Sequence, residues 1–166
     1  QTFAIKDKDG RDIWGFGGDM GFAGVVNDSN FCSNGLVAAD RSLHPHIYEV
    51  KKVFQYVHFK PVSFSANKIQ VINRHDFIGL DNYRLRYAVE TDGKQVYGGE
   101  TDFPAIAPGE SAIMELPIKP CPNDGKEYFL TLRVFTKEAS ALIPQGHEVA
   151  IEQWQLPSEP KLLPLK

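Results

Sequence analysis

Three of the carboxylates in the first quarter of a chain of 166 residues, Asp19, Asp28 and Asp40, are candidates for chemistry. Two carboxyl groups, one neutral and one ionised, are the equipment for cleaving a glycosidic bond. None of the three ends a recognisable barrel strand, and Asp beside Gly or Asn shapes turns, so turn-forming roles are expected. His44 and His46 flank Pro45 at a spacing that could bring two imidazoles to one metal ion. No cysteine or carboxylate joins them at zinc-ligand spacing, and they read as surface or packing residues at a helix start. His58, His75 and His147 are scattered with no nucleophile motif beside them, and Ser111, after Gly109-Glu110, lacks the Gly-x-Ser-x-Gly frame of a hydrolase triad. Gly15-Phe16-Gly17-Gly18-Asp19 has the look of a phosphate-cradling loop but is not followed by Gly-Lys-Ser/Thr. Trp14, Phe16, Phe22 and Phe31 could stack on the apolar face of a sugar ring; burial against a neighbouring domain explains them equally well.

The elements that would position these residues divide near residue 56. Seven of the 14 glycines lie in residues 1–43, a density that denotes loop. There, the run 35–39 is the only stretch that looks buried. From Pro45 the apolar residues Ile47, Val50, Val53 and Phe54 recur at helical intervals, predicting an amphipathic helix over 45–55. We expect it to dock on the downstream domain through Val50, Val53 and Phe54. Alternating strands follow at 57–65, 68–73, 83–91, 94–98, 111–116, 127–136 and 147–156. Asp92-Gly93 signals a type I′ hairpin, while Pro108-Gly109 and Asn123-Asp124-Gly125 mark further reversals. About seven strands in about 100 residues predict an immunoglobulin-like β-sandwich, mainly β, over 57–157, without the Cys–Trp–Cys arrangement of antibody domains. Pro157, Pro160 and Pro164 make 158–166 a stiff linker.

Bulk properties narrow the function classes. The chain is 42% hydrophobic and 23% charged, a folded composition, with a net charge of -3 that offers no basic field for nucleic acid. No apolar run approaches the roughly 18 residues of a membrane span, and residues 1–20 lack the pattern of a signal peptide, so a soluble protein of unread compartment is expected. Cys32 and Cys121 fall in different units and are expected as two free, buried thiols. Gln1 in place of an initiator methionine suits a processed protein or a piece of a longer one.

A long motif set identifies a likeness. Gly17-Gly18-Asp19-Met20-Gly21, then Asn27 to Val37 and Ala39-Asp40-Arg41, then His44-Pro45, closely resembles the glycoside hydrolase family 2 β-galactosidases, where such a run follows the last strand of a TIM barrel and leads into its last helix. Asp92-Gly93-Lys94, residues 130–134 and the stretch from Gly146-His147 to Gln153-Trp154 look like that family's immunoglobulin-like fourth domain. The resemblance therefore implies that residues 1–56 are the C-terminal remnant of the (β/α)8 catalytic domain and that the sandwich is a structural spacer. It implies a retaining enzyme acting on terminal β-D-galactosides, with sodium and magnesium as cofactors. Phe31, through its backbone carbonyl, and Asn34, through its side chain, match sodium ligands. Asn34 also matches a contact to the galactose 6-hydroxyl, and Asn27 a contact to a peripheral magnesium ion. Met20 and Ser33 stand where the family more often has Phe and Met. The family's acid/base and nucleophile glutamates have no counterpart in this chain, so the chain alone is expected to be inactive, to hold no ion tightly, and to have the remaining domains of the same polypeptide as partners, with homo-oligomers possible. The rival class is a free-standing sandwich that binds carbohydrate or protein. A complete small enzyme fails for want of a carboxylate pair.

Overall fold

The computed structural model describes residues 2–20, 24–26 and 35–157. The chain forms two compact units, Gln1–Val53 and Phe54–Lys166.

In the first unit, β1 (Thr2–Lys6) and β2 (Asp12–Phe16) form an antiparallel hairpin where the glycine density predicted loop. The turn is built by Asp7, whose carboxylate accepts the backbone N–H groups of Asp9 and Arg11 at 2.9 and 2.8 Å, and by Gly10 at φ 79°. Gly15 is the one buried residue among the described residues of this unit. A Cβ there would lie 2.9 Å from the ring of Phe3, its cross-strand partner, so the glycine makes room for an aromatic side chain instead of breaking the strand. The run 35–39 is not a buried strand: Leu36 and Val37 are exposed, and Val37 makes a single bridge to Leu43.

The helix α1 spans Ile47–Val53, shorter at both ends than its apolar periodicity predicts. None of its residues is buried, and Val53 and Phe54 are 70% and 73% exposed. The helix stops because Gln55 turns inward. Its side chain is 6% exposed, and its Oε1 accepts the Ile151 N–H at 3.0 Å, a partner that no helical geometry could reach.

The second unit is a two-layer antiparallel sandwich. One sheet has the order β3-β4-β7 and the other β6-β5-β8-β9, with β3 Val57–Ser63, β4 Lys68–Asn73, β5 Tyr83–Thr91, β6 Lys94–Asp102, β7 Ser111–Glu115, β8 Phe129–Thr136 and β9 Glu148–Gln155. Seven strands in this crossed order make the immunoglobulin-like sandwich expected from the alternation. Val57, Phe59, Ile69 and Val71 of the first sheet face Leu85, Val89, Leu130 and Leu132 of the second. Each such side chain contributes about 1.5–3 kcal/mol on leaving water. Asp92 at φ 51° and Gly93 at φ 70° have the paired positive φ of a type I′ turn.

The outward face of β5, β6, β8 and β9 is a charge ladder. Arg86 donates to Glu100 through Nε and an Nη at 2.8 and 2.6 Å while its guanidinium lies 4.6 Å from the Phe135 ring centre, and Arg133 reaches Glu148 at 2.6 Å. An odd number of strands carries the chain in at one end, at Val57, and out at the other, past Gln155. Cys121 is a free thiol, half-buried where full burial was expected; desolvation, aided by the Asp124 charge, pushes its pKa up. Cys32 and the linker 158–166 lie outside the described residues.

Candidate functional site

The residues matched to sugar and ion contacts, Asn27, Phe31 and Asn34, lie outside the described residues, as do Asp28, Phe22 and Cys32. What the structure describes is the clasp that begins one residue after Asn34. His44 Nδ1 stands 2.7 Å from the Gly35 carbonyl oxygen, so that nitrogen carries the proton and donates. The His44 N–H donates to the Leu36 carbonyl at 3.1 Å, and the Ala38 N–H to the Ser42 carbonyl at 2.8 Å, closing residues 35–44 into a small loop.

At the tip of that loop Asp40 accepts from the Ser42 N–H at 2.9 Å and from its hydroxyl at 2.6 Å. These bonds hold the exposed Asp40 carboxyl below the usual carboxylate range, the hydroxyl contributing most. A carboxylate bonded this way within its own turn is a turn-former, as its sequence context implied. Arg41, at φ 73°, takes the left-handed conformation that lets the loop reverse, and donates to the Ala39 carbonyl at 3.0 Å. His44 and His46 have ring centres 5.5 Å apart, and the donor bond to Gly35 commits one His44 nitrogen to structure.

In the Gly15–Asp19 segment, residues Gly17–Met20 form one 3-10 turn, and Asp19 accepts the Phe16 N–H at 3.0 Å. A carboxylate placed on that backbone donor occupies the position a phosphate oxygen would need. Trp14 is exposed and Phe16 half-buried.

Sequence reasoning missed one structural part of this site, the His44 to Gly35 bond that closes the loop behind Asn34. Its signal was His44-Pro45, nine residues after the glycine, but nothing in that spacing names a backbone carbonyl as partner. Among the described residues no helix is long and apolar enough to cross a membrane.

Comparison with known proteins assigns both units. Residues 1–59 match the family described as glycosyl hydrolases family 2, TIM barrel domain, and residues 69–157 match β-galactosidase, domain 4. The chain is 37% identical over 158 residues to β-galactosidase 2 of Enterobacter cloacae, an alignment covering 95% of this chain and 15% of that protein. The chain spans about a seventh of the length of that relative. With a barrel segment and domain 4 matched in sequence within one polypeptide, this chain belongs to the β-galactosidases of glycosyl hydrolase family 2.

Proposed function

We propose that this chain is part of a retaining β-galactosidase that hydrolyses terminal β-D-galactosides, and that it contributes the wall of the sugar site around Asn34. The observation that carries the reading is the succession, in one chain, of a barrel-domain match and a domain 4 match. The Asn34 amide oxygen and the Phe31 carbonyl are neutral, hard oxygen donors, the chemistry a sodium ion requires. When bound, the ion supplies a fixed positive charge that orients a sugar hydroxyl oxygen. Asn34 itself can donate to or accept from the galactose 6-hydroxyl, and Asn27 offers a further amide oxygen to a peripheral magnesium ion. The clasp from Gly35 to His44 supports this role by fixing the backbone immediately after Asn34.

The sandwich acts as a spacer, taking the chain in at one end and releasing it at the other. Retention requires two carboxyl groups on either side of the scissile bond. Five carboxylates of the chain are engaged in its own structure: Glu100 and Glu148 pair with arginines, Glu90 accepts from Thr131, and Asp19 and Asp40 accept within their own turns. On this reading, which rests on the family likeness, the catalytic pair is supplied by other parts of the polypeptide and the chain alone is silent.

The test is hydrolysis of a chromogenic β-galactoside by the chain alone and by a longer polypeptide in which a β-galactosidase barrel precedes it. We expect no turnover from the chain and sodium-sensitive turnover from the longer form. Asn34→Ala should lower kcat/KM of the longer form by about tenfold or more, the loss of a hydrogen bond worth roughly 1.4 kcal/mol. Turnover by the chain alone overturns the placement of the catalytic carboxylates. A silent longer form favours the sandwich as a binding module.

A further inference from the structure

The outer face of the four-stranded sheet changes chemistry along its strands. At one end its carboxylates pair with cations: Glu100 with Arg86, Asp102 with Lys137, and Glu148 with Arg133. At the other end they pair with amides and a hydroxyl. The Gln153 Nε2 donates to the buried Thr131 hydroxyl at 2.9 Å, and that hydroxyl donates to Glu90 Oε2 at 2.5 Å. The Gln155 Nε2 donates to Glu127 Oε1 at 3.1 Å. Neither Glu90 nor Glu127 forms an ion pair among the described residues.

Phe129 lies between these two carboxylate–amide pairs. Its cross-strand neighbours are Glu90 on β5 and Gln155 on β9, and strand alternation turns all three outward, opposite the buried Val89 and Leu130. The Phe129 ring is half-exposed and has no stacking partner among the described residues, whereas Phe135 on the same strand is covered by the Arg86 guanidinium. It lines a groove of about 530 Å³ walled by the Asp92-Gly93 turn and residues 125–127. The walls are bonded to each other: Lys126 Nζ reaches Asp92 Oδ2 at 2.9 Å, and the Thr91 hydroxyl donates to the Glu127 carbonyl at 2.8 Å. Such bracing limits the entropy lost when a ligand enters.

We propose that this groove binds a neutral hexopyranoside, with the Phe129 ring under an apolar face of the sugar and the Glu90–Gln153 and Glu127–Gln155 pairs along its hydroxyl-bearing edges. The inference stands on the sandwich unit alone and goes beyond the functional reading above. Its ligand class follows from the chemistry. A pyranose presents C–H groups on its faces and, around its rim, hydroxyls that each donate and accept. Glu90 Oε1, Glu127 Oε2 and the Oε1 atoms of Gln153 and Gln155 accept nothing from the described residues, so four acceptors face outward for such hydroxyls. Those made to a carboxylate are of the stronger, charge-assisted kind. The two carboxylates repel an anion, and among the described residues no three metal-ligating side chains gather for a cation.

Amide proton–nitrogen correlation spectra of the chain, titrated with methyl β-D-galactoside and with methyl β-D-glucoside, test the site. At least one glycoside should give saturable shifts confined to residues 90–93, 125–131 and 153–155, with a Kd on the order of millimolar, as suits an open groove. Sorbitol, which has the hydroxyls without the ring faces, should leave those amides unmoved. Glu127 is exposed and Phe129 half-exposed, so Glu127→Ala and Phe129→Leu spare the core, which the dispersion of their own spectra checks. Each should weaken binding by about fivefold or more. Shifts that never saturate, an equal effect of sorbitol, or undiminished binding by both variants overturns the proposal. Saturable shifts of the same amides with calcium or methylammonium and with neither glycoside overturn it too, since the groove would then be a cation site. No turnover is read, so the outcome is separate from that of the galactosidase test.

Discussion

The Gln55 Oε1 accepts the backbone N–H of Ile151 at 3.0 Å, a bond between residues 96 apart that joins the start of the sandwich to its last strand. It is also one of few buried polar side chains in the unit. Gln55→Ala would remove this bond together with a buried side chain, which costs about 1–3 kcal/mol. Equilibrium urea denaturation should show a lower midpoint with an unchanged slope. An unaltered midpoint would mean that the bond contributes nothing net.

Asn73 carries more bonds than any other buried side chain of the sandwich. Its Nδ2 serves three carbonyls, while its Oδ1 accepts the His75 N–H and Nδ1 at 3.0 and 2.8 Å. Asn73→Asp keeps the shape but replaces the donor with a second acceptor aimed at carbonyl oxygens. At neutral pH it should therefore destabilise at least as much as Asn73→Ala, by about 3 kcal/mol or more. Thermal melts of both variants would check the order; a milder effect of Asp would show that the donor bonds are dispensable.

The sandwich was readable from sequence because period-two alternation and turn chemistry agree at Tyr83–Thr91, Asp92-Gly93 and Lys94–Asp102. The hairpin of β1 and β2 was hidden because Gly15 and Gly17 have the composition of a loop, although Gly15 in fact accommodates Phe3 across the pair. Asp7 and Gly10 between two apolar stretches were the overlooked signal. Gln55 could not be found locally, since its partner is supplied only once the sheets assemble. Asn34 and Phe31 carry no spacing that implies an ion or a sugar, so only likeness to a family points to them.

The His75 imidazole lies between Tyr56 and Tyr83, where burial lowers its pKa from the ordinary 6.5; the Asp76 charge opposes this without reversing it. Between the lowered folded value and 6.5 the unfolded chain binds more protons than the folded one, so stability rises with pH across that window and is complete above it. Stability of the chain should therefore fall as pH drops from about 7.5 to about 5.5. His75→Phe, which retains a ring between the two tyrosines, should flatten that slope. Denaturation at the two pH values decides it; identical slopes would assign the pH dependence to other groups.

Gly98 and Gly99 are adjacent on β6, yet their surroundings differ in kind. A Cβ at Gly98 would lie 2.5 Å from the Tyr87 carbonyl oxygen and 3.2 Å from the Ala88 Cα, both backbone atoms of the paired strand. A Cβ at Gly99 would meet the ring of the buried Tyr87, 2.6 Å from its hydroxyl and 3.0 Å from its Cζ, all side-chain atoms. Gly98→Ala must therefore shift β6 against β5, an overpacking cost of about 2–3 kcal/mol, whereas Gly99→Ala displaces a packed ring and leaves the backbone pairing in place, at about 1–2 kcal/mol. Chemical denaturation of the two variants should rank them in that order. Equal losses would mean that the strand pair yields as easily as the tyrosine ring, and that close backbone approach is not what keeps glycine at position 98.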